Sequence, residues 1–105
     1  MMELLTQQVK RKLNITWADD ETDARIEDII SSVRPYLTHK LGVAEDFEFS
    51  KAGTERDLFL SCCLYEWNHI PRDEWEDNYK YTIANLRARY EVETYLKEQE
   101  AGANV

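Results

Sequence analysis

The chain has 105 residues, a formal net charge of -8 and an isoelectric point near 4.7, which fits one domain with a single modest core and excludes uniform attraction to nucleic-acid backbone or anionic membrane. Only three Gly and two Pro accompany many charged residues, the balance of long helices with short connections. The longest largely apolar run, residues 58–65, cannot span a bilayer; the start, MMELLTQQVKRK, shows no secretion signal; and adjacent Cys62 and Cys63 make no disulfide framework, so a reduced, intracellular protein is expected.

Residues 3–13 read as a first helix, with Leu5, Val9 and Leu13 on one face. Lys10, Arg11 and Lys12 form a basic run in the last turn before Asn14, where cations complement the negative helix end and no phosphate ligand is needed to explain them. Residues 14–19 connect, and Trp17 is expected to close one end of the core. A second helix is expected over 20–41. Asp19 or Asp20 caps it, His39 and Lys40 occupy its last turn, and Gly42 stands where a left-handed terminator belongs. Ile26, Ile29, Ile30, Val33, Leu37 and Leu41 form its apolar stripe. Pro35 falls on the opposite side and is expected to kink the helix, a full break after Arg34 being the alternative. The acidic cluster Asp19, Asp20, Glu21 and Asp23 resembles the start of a calcium loop, but Ala24 stands where that loop needs Gly and Ile30 where it needs Glu. A solvated, dipole-matched helix start is the reading.

Residues 43–53 form a loop in which Phe47 and Phe49 alternate around Glu48; they either fold back onto the core or reach a partner, and they are the candidates for partner docking. The stretch 54–69, TERDLFLSCCLYEWNH, is the centre of the chain. At about 100° per residue, Leu58, Phe59, Leu60, Cys62, Cys63, Leu64, Tyr65 and Trp67 cover most of its circumference, leaving Asp57, Ser61 and Asn68 on a polar strip and Glu66 on another side. A helix so apolar must be wrapped by the others. Thr54 is expected to cap it, a contribution of about 1 kcal/mol, and Pro71 ends it.

A last helix is expected over 74–98, opened by a capping box from Asp73 to Glu76. Trp75, Tyr79, Ile83, Leu86 and Tyr90 make one stripe; Tyr81, Ala84, Ala88, Val92 and Tyr95 make a second on the opposite side. The core takes the first. The second, with small Ala84 and Ala88 permitting close approach, is the candidate subunit interface; the competing reading is that the first two helices cover both sides. The expected core comprises Ile26, Ile30, Val33, Leu37, Leu58, Phe59, Leu64, Trp67, Trp75, Tyr79, Ile83 and Leu86. The fold class is all-α, a small bundle of about four helices around a central buried helix, spanning 1–98, with 99–105 a flexible tail.

No catalytic constellation emerges. His39 and His69 lack a nearby nucleophile arrangement. Cys62, Cys63 and His69 do not complete a zinc site, since no second ligand pair exists in the sequence; the cysteines read as small core residues. No enzyme, cofactor or metal is expected.

With these segments laid out, the chain resembles the small helical head-tail connector proteins of tailed bacteriophages, the portal adaptor family. The resemblance lies in the order of features across nearly the whole chain. A short first helix, LLTQQVKRKLNI, precedes an acidic turn into a long helix, WADDETDARIEDIISSVRPYLTHKLG, and a Phe-rich piece, DFEFS. A buried helix ending LYEWNH then leads through Arg72 to a last helix containing YTIANLRARYE. Pro35 departs from the continuous second helix of the family pattern. The resemblance implies a non-catalytic virion protein at the head-tail junction, made in the bacterial host cytoplasm. It would form a ring, commonly of twelve subunits, between the portal protein and a stopper or tail-completion protein, with DNA only in transit through the lumen and no membrane contact. A different class also fits the residues: an acidic helical interaction protein that masks a basic surface of a regulatory partner. A helix-turn-helix DNA binder with its turn at 68–72 is disfavoured, because Asp73, Glu74, Glu76 and Asp77 would face phosphates.

Overall fold

Local signals set four helices, α1 (Met2–Lys12), α2 (Asp20–Leu41), α3 (Thr54–Trp67) and α4 (Arg72–Ala103), and the described residues contain no strand: the fold is an all-α bundle. The computed structural model describes the backbone of residues 2–103 and the side chains of 4–99. Both α1 and α4 pack on α2 and on α3, and no close backbone approach joins α1 to α4 among the described residues. The centre is therefore the α2/α3 pair, against which α1 and α4 each pack.

The start of α2 is capped as its sequence demands. Asp19 sits in extended backbone and its carboxylate accepts from the Thr22 amide at 3.1 Å and from the Thr22 hydroxyl at 2.8 Å. Ile26, Ile30, Val33, Leu37 and Leu41 are fully buried. The helix passes unbroken through Pro35, whose ring faces solvent, so the break after Arg34 does not occur.

α1, α2 and α3 stop in the same way. Asn14, Gly42 and His69 adopt left-handed backbone, with φ of 60°, 74° and 58°. The amide of the following residue reaches back five positions: Ile15 to the Lys10 carbonyl at 2.9 Å, Val43 to Thr38 at 3.1 Å, and Ile70 to Tyr65 at 2.9 Å. Each pairs a carbonyl that the helix end would leave open, and the first two turn Ile15 and Val43 onto the core. This corrects the place given to Trp17. Ile15, 8% exposed, closes that end of the core, while Trp17 stays outside at 53%.

The entry to α3 also differs from expectation. Thr54 is the first helical residue and makes no cap bond; Gly53 precedes it at φ 150°, backbone open to glycine, and its carbonyl accepts from the Asp57 amide at 3.2 Å. Ser61, read as part of a polar strip, is buried. Its hydroxyl donates to the Leu58 carbonyl and accepts from the Trp75 indole N–H, both at 2.9 Å, so one small polar group satisfies a fully buried tryptophan. Leu64 and Trp67, expected in the core, are half-buried. The far end of α3 lies at the rim, where Arg25 covers the Trp67 ring at 4.1 Å and donates to its carbonyl at 2.7 Å.

α4 begins at Arg72, two residues before the expected start, because the Pro71 carbonyl accepts from the Glu74 and Trp75 amides at 3.1 and 3.4 Å. Asp73 is thus inside the first turn and not its cap. At the other end α4 continues past Glu98 to Ala103, through much of the expected tail; residues 104 and 105 lie outside the described residues. Its 32 residues span about 48 Å at 1.5 Å each, most of the 56 Å long axis of the molecule.

Candidate functional site

Two faces of α4 have opposite fates, and the inner one fixes the outer. Trp75, Ile83 and Leu86 are buried, and Tyr79 and Tyr90 are half-buried against the core. Trp75 packs tilted on Tyr79 at 5.6 Å between ring centres and edge-on to Tyr36 at 6.1 Å. Polar bonds then fix the rotation and height of the helix. Glu76 pairs with Lys40 near the end of α2, and Arg87 donates to the Lys40 carbonyl at 3.3 Å. On the other side the Tyr90 hydroxyl donates to Glu55, which also accepts from Arg89 at 3.1 Å.

These contacts shift the groups that make them. Burial pushes the Glu55 carboxyl up, but the Tyr90 hydroxyl, its own backbone amide and the Arg89 charge together outweigh burial and hold it below the ordinary carboxylate value. The hydrogen bond from Lys40 holds Glu76 low despite partial desolvation. Burial first, and the bond to Glu55 second, push the Tyr90 phenol up. Glu55 and Glu76 are therefore anchored as anions on either side of α4.

With the inner face fixed, the outer face points away from the bundle. Tyr81 is 76% exposed, Val92 57% and Tyr95 58%, and Ala84 and Ala88 between them are open. The helices α1 and α2 leave that side bare, so the reading in which they cover both stripes does not hold. After Tyr90 the inner register passes to Glu93, Thr94 and Lys97, and every side chain from Glu91 to Gln99 is exposed. In these last turns the apolar residues Val92, Tyr95 and Leu96 sit on the outward side. A helix standing clear of its own core with apolar residues on its outer side is suited to packing against another chain.

The phenylalanine pair divides. Phe49 is fully buried, stacked on Phe59 at 4.8 Å, so the monomer's own core takes it and it is not free for partner docking. Phe47 packs edge-on to Phe49 at 4.9 Å and to Tyr90 at 6.3 Å, and keeps part of its surface in a groove beside Val43 and Lys97. The Gly42 turn and the alternation around Glu48 carry Phe49 inward.

Exposed apolar residues that the stripe patterns passed over are Leu4, Trp17 and Leu96. Leu96 carried a signal, since it follows Val92 by one helical turn. Leu4 carried a weaker one, as an apolar residue off the Leu5–Val9 face.

The histidines and cysteines do not converge. His69 lies 3.2 Å from an Arg25 guanidinium nitrogen, and His39 lines a groove of about 700 Å3 at the end of α2 with Arg34 and Arg87, apart from the cysteines. Burial pushes the Cys62 thiol up to about 12 and Cys63 further, so both are unreactive thiols within the core. Among the described residues no three His, Cys, Asp or Glu side chains cluster as metal ligands, and no helix is long and apolar enough to cross a membrane.

Comparison of the chain with known protein families, with curated proteins and with solved structures found no match.

Proposed function

We propose that this chain is a non-enzymatic structural adaptor of a phage particle, forming a ring between the portal and the tail or stopper proteins with DNA passing through its lumen. The observation that carries the reading is the outward stripe of α4, Tyr81, Ala84, Ala88, Val92 and Tyr95, exposed while Trp75, Ile83 and Leu86 on the inner face are buried. A long helix with one face in its own core and the other bare supplies a side-to-side contact, and such a contact closes into a ring when its rotation allows. The order of helices and loops resembles the connector family, and the net charge of -8 gives a ring wall to which the DNA backbone does not adhere.

Light scattering of the purified chain, alone and mixed with a candidate portal ring, tests this. A ring-sized particle, or a monomer that joins the portal in many copies, supports the adaptor. A monomer indifferent to the portal refutes it and favours the acidic masking protein, whose partner would be a basic surface. Ala88→Arg separates assembly from folding. Because Ala88 is exposed, the helical signal and the unfolding midpoint should stay within about 0.5 kcal/mol of the parent while assembly is lost.

A further inference from the structure

The side chains that hold α4 to the bundle stop at Tyr90. Leu86 is the last apolar residue of the helix to be buried among the described residues, and one turn later Tyr90 lies half-buried, edge-on to Phe47 at 6.3 Å between ring centres. The final tie is a clamp on Glu55 at the start of α3, whose carboxylate accepts from the Tyr90 hydroxyl and, at 3.1 Å, from Arg89. Over residues 92–99 every side chain is exposed, and none of these side chains makes a hydrogen bond, an ion pair or a ring contact among the described residues. Glu93, Thr94 and Lys97 wall a groove with Val43 and Phe47, an open space across which they are not bonded.

The far turns therefore stand on their own helix energetics, and these are poor. Isolated helices shorter than about 12–15 residues are marginal in water even for alanine-rich sequences. Here Val92, Thr94 and Tyr95 lose side-chain freedom when helical. The carbonyl end of a helix favours cations, yet α4 has no basic residue in its last turn and carries Glu98 just before it. Local support amounts to Glu93 standing four residues from both Arg89 and Lys97, and exposed pairs of that kind contribute little. Backbone bonds with no buried side chain beside them are the ones that open most readily.

We infer that the Glu55 clamp sets where the persistent part of α4 ends: in the free chain the helix is held through Tyr90, and the turns beyond it interchange between helix and coil. Releasing the clamp moves that boundary back one turn, to Leu86. The boundary divides the outward stripe. Tyr81, Ala84 and Ala88 stand on persistent helix, whereas Val92 and Tyr95 stand beyond the clamp, so a contact that uses them orders those turns as it forms. The inference goes beyond the adaptor reading, because it concerns the chain before it meets any partner.

Amide hydrogen exchange read residue by residue on the full chain tests this, at a dilution where light scattering gives the mass of one chain; where the parent associates, Ala88→Arg supplies the single chain. Helical amides bond back four residues, so those of 91–94 rest on the carbonyls of 87–90 and those of 95–99 on the far turns. Amides from 79 to 90 should be protected, and those from 95 to 99 should exchange within about tenfold of an unstructured peptide. The double variant Arg89→Ala/Tyr90→Phe keeps a ring against Phe47 and removes both bonds to Glu55. In it protection at 91–94 should fall by about tenfold, while protection at 79–86 stays at the parental level. Protection that runs level from 79 through 99 overturns the boundary. Unchanged protection at 91–94 in the double variant overturns the clamp as its cause, and a loss shared equally by 79–86 does the same, since the clamp would then hold the whole fold. Every reading is taken on the single chain, so failure here leaves assembly untouched, and a parent chain that never assembles leaves the boundary standing.

Discussion

Removing the Ser61 hydroxyl should destabilise the fold through the buried Trp75, fourteen positions along the chain. In Ser61→Ala the indole N–H, on a ring with no exposed surface, loses its 2.9 Å acceptor and no water can reach it. Leaving a buried donor unpaired costs about 1–3 kcal/mol, against a helix-propensity gain for alanine of about 0.5 kcal/mol. The net expectation is a loss of about 1–2 kcal/mol, read as a fall in the urea midpoint at unchanged slope. Trp75→Phe removes the donor together with packing, so alone it also destabilises. In the double variant Ser61→Ala/Trp75→Phe the orphaned donor no longer exists. The two losses should therefore sum to more than the measured total, with a coupling of about 1–2 kcal/mol. Additive losses within about 0.3 kcal/mol would refute the claim that the Ser61 to Trp75 bond holds α4 to α3.

Phe49→Ala should cost about 3–5 kcal/mol in chemical denaturation, and Phe47→Ala about half as much because its ring is only half-buried; equal losses would contradict the inward placement of Phe49. Gly42→Ala should cost about 1–2 kcal/mol from backbone alone, since φ is +74° and an added Cβ would meet nothing within 4 Å; a neutral result in thermal melts would remove the left-handed stop of α2. Glu55 titrates below its ordinary value in the fold, so it contributes stability above the unfolded carboxylate value near pH 4.3 that is lost as pH falls through its folded value. Glu55→Gln should flatten the acid limb of stability against pH, and an unchanged limb would show that its bonds to Tyr90 and Arg89 do not operate in solution.

Period and caps made most of the helices readable. The stripe from Ile26 to Leu41, the Asp19 cap and the Gly42 stop of α2 are written in local sequence, and the structure places them as read. The two faces of α4 were legible for the same reason, since a helix of that length repeats its pattern often enough to fix both sides. What escaped was decided by tertiary neighbours. Thr54 looked like a cap, but the backbone turn at Gly53 brings it into the first helical position. Ser61 looked like surface until the Trp75 indole arrived from α4. Trp17 looked like a core lid until the turn at Asn14 gave that place to Ile15. Phe49 left two options that only the position of Phe59 could separate. The exposure of Leu4 and Trp17 was barely legible because an apolar residue outside a stripe carries only a weak periodic signal.

The shared left-handed stop of α1, α2 and α3 has a kinetic consequence. Each stop is built from residues no more than five positions apart, so three of the chain's reversals can form before any distant contact exists. The search left to the chain is the docking of short, already terminated rods, a topology rich in local contacts. Helical bundles of that kind fold in about microseconds to milliseconds. The fold of a newly made chain would therefore be complete soon after synthesis.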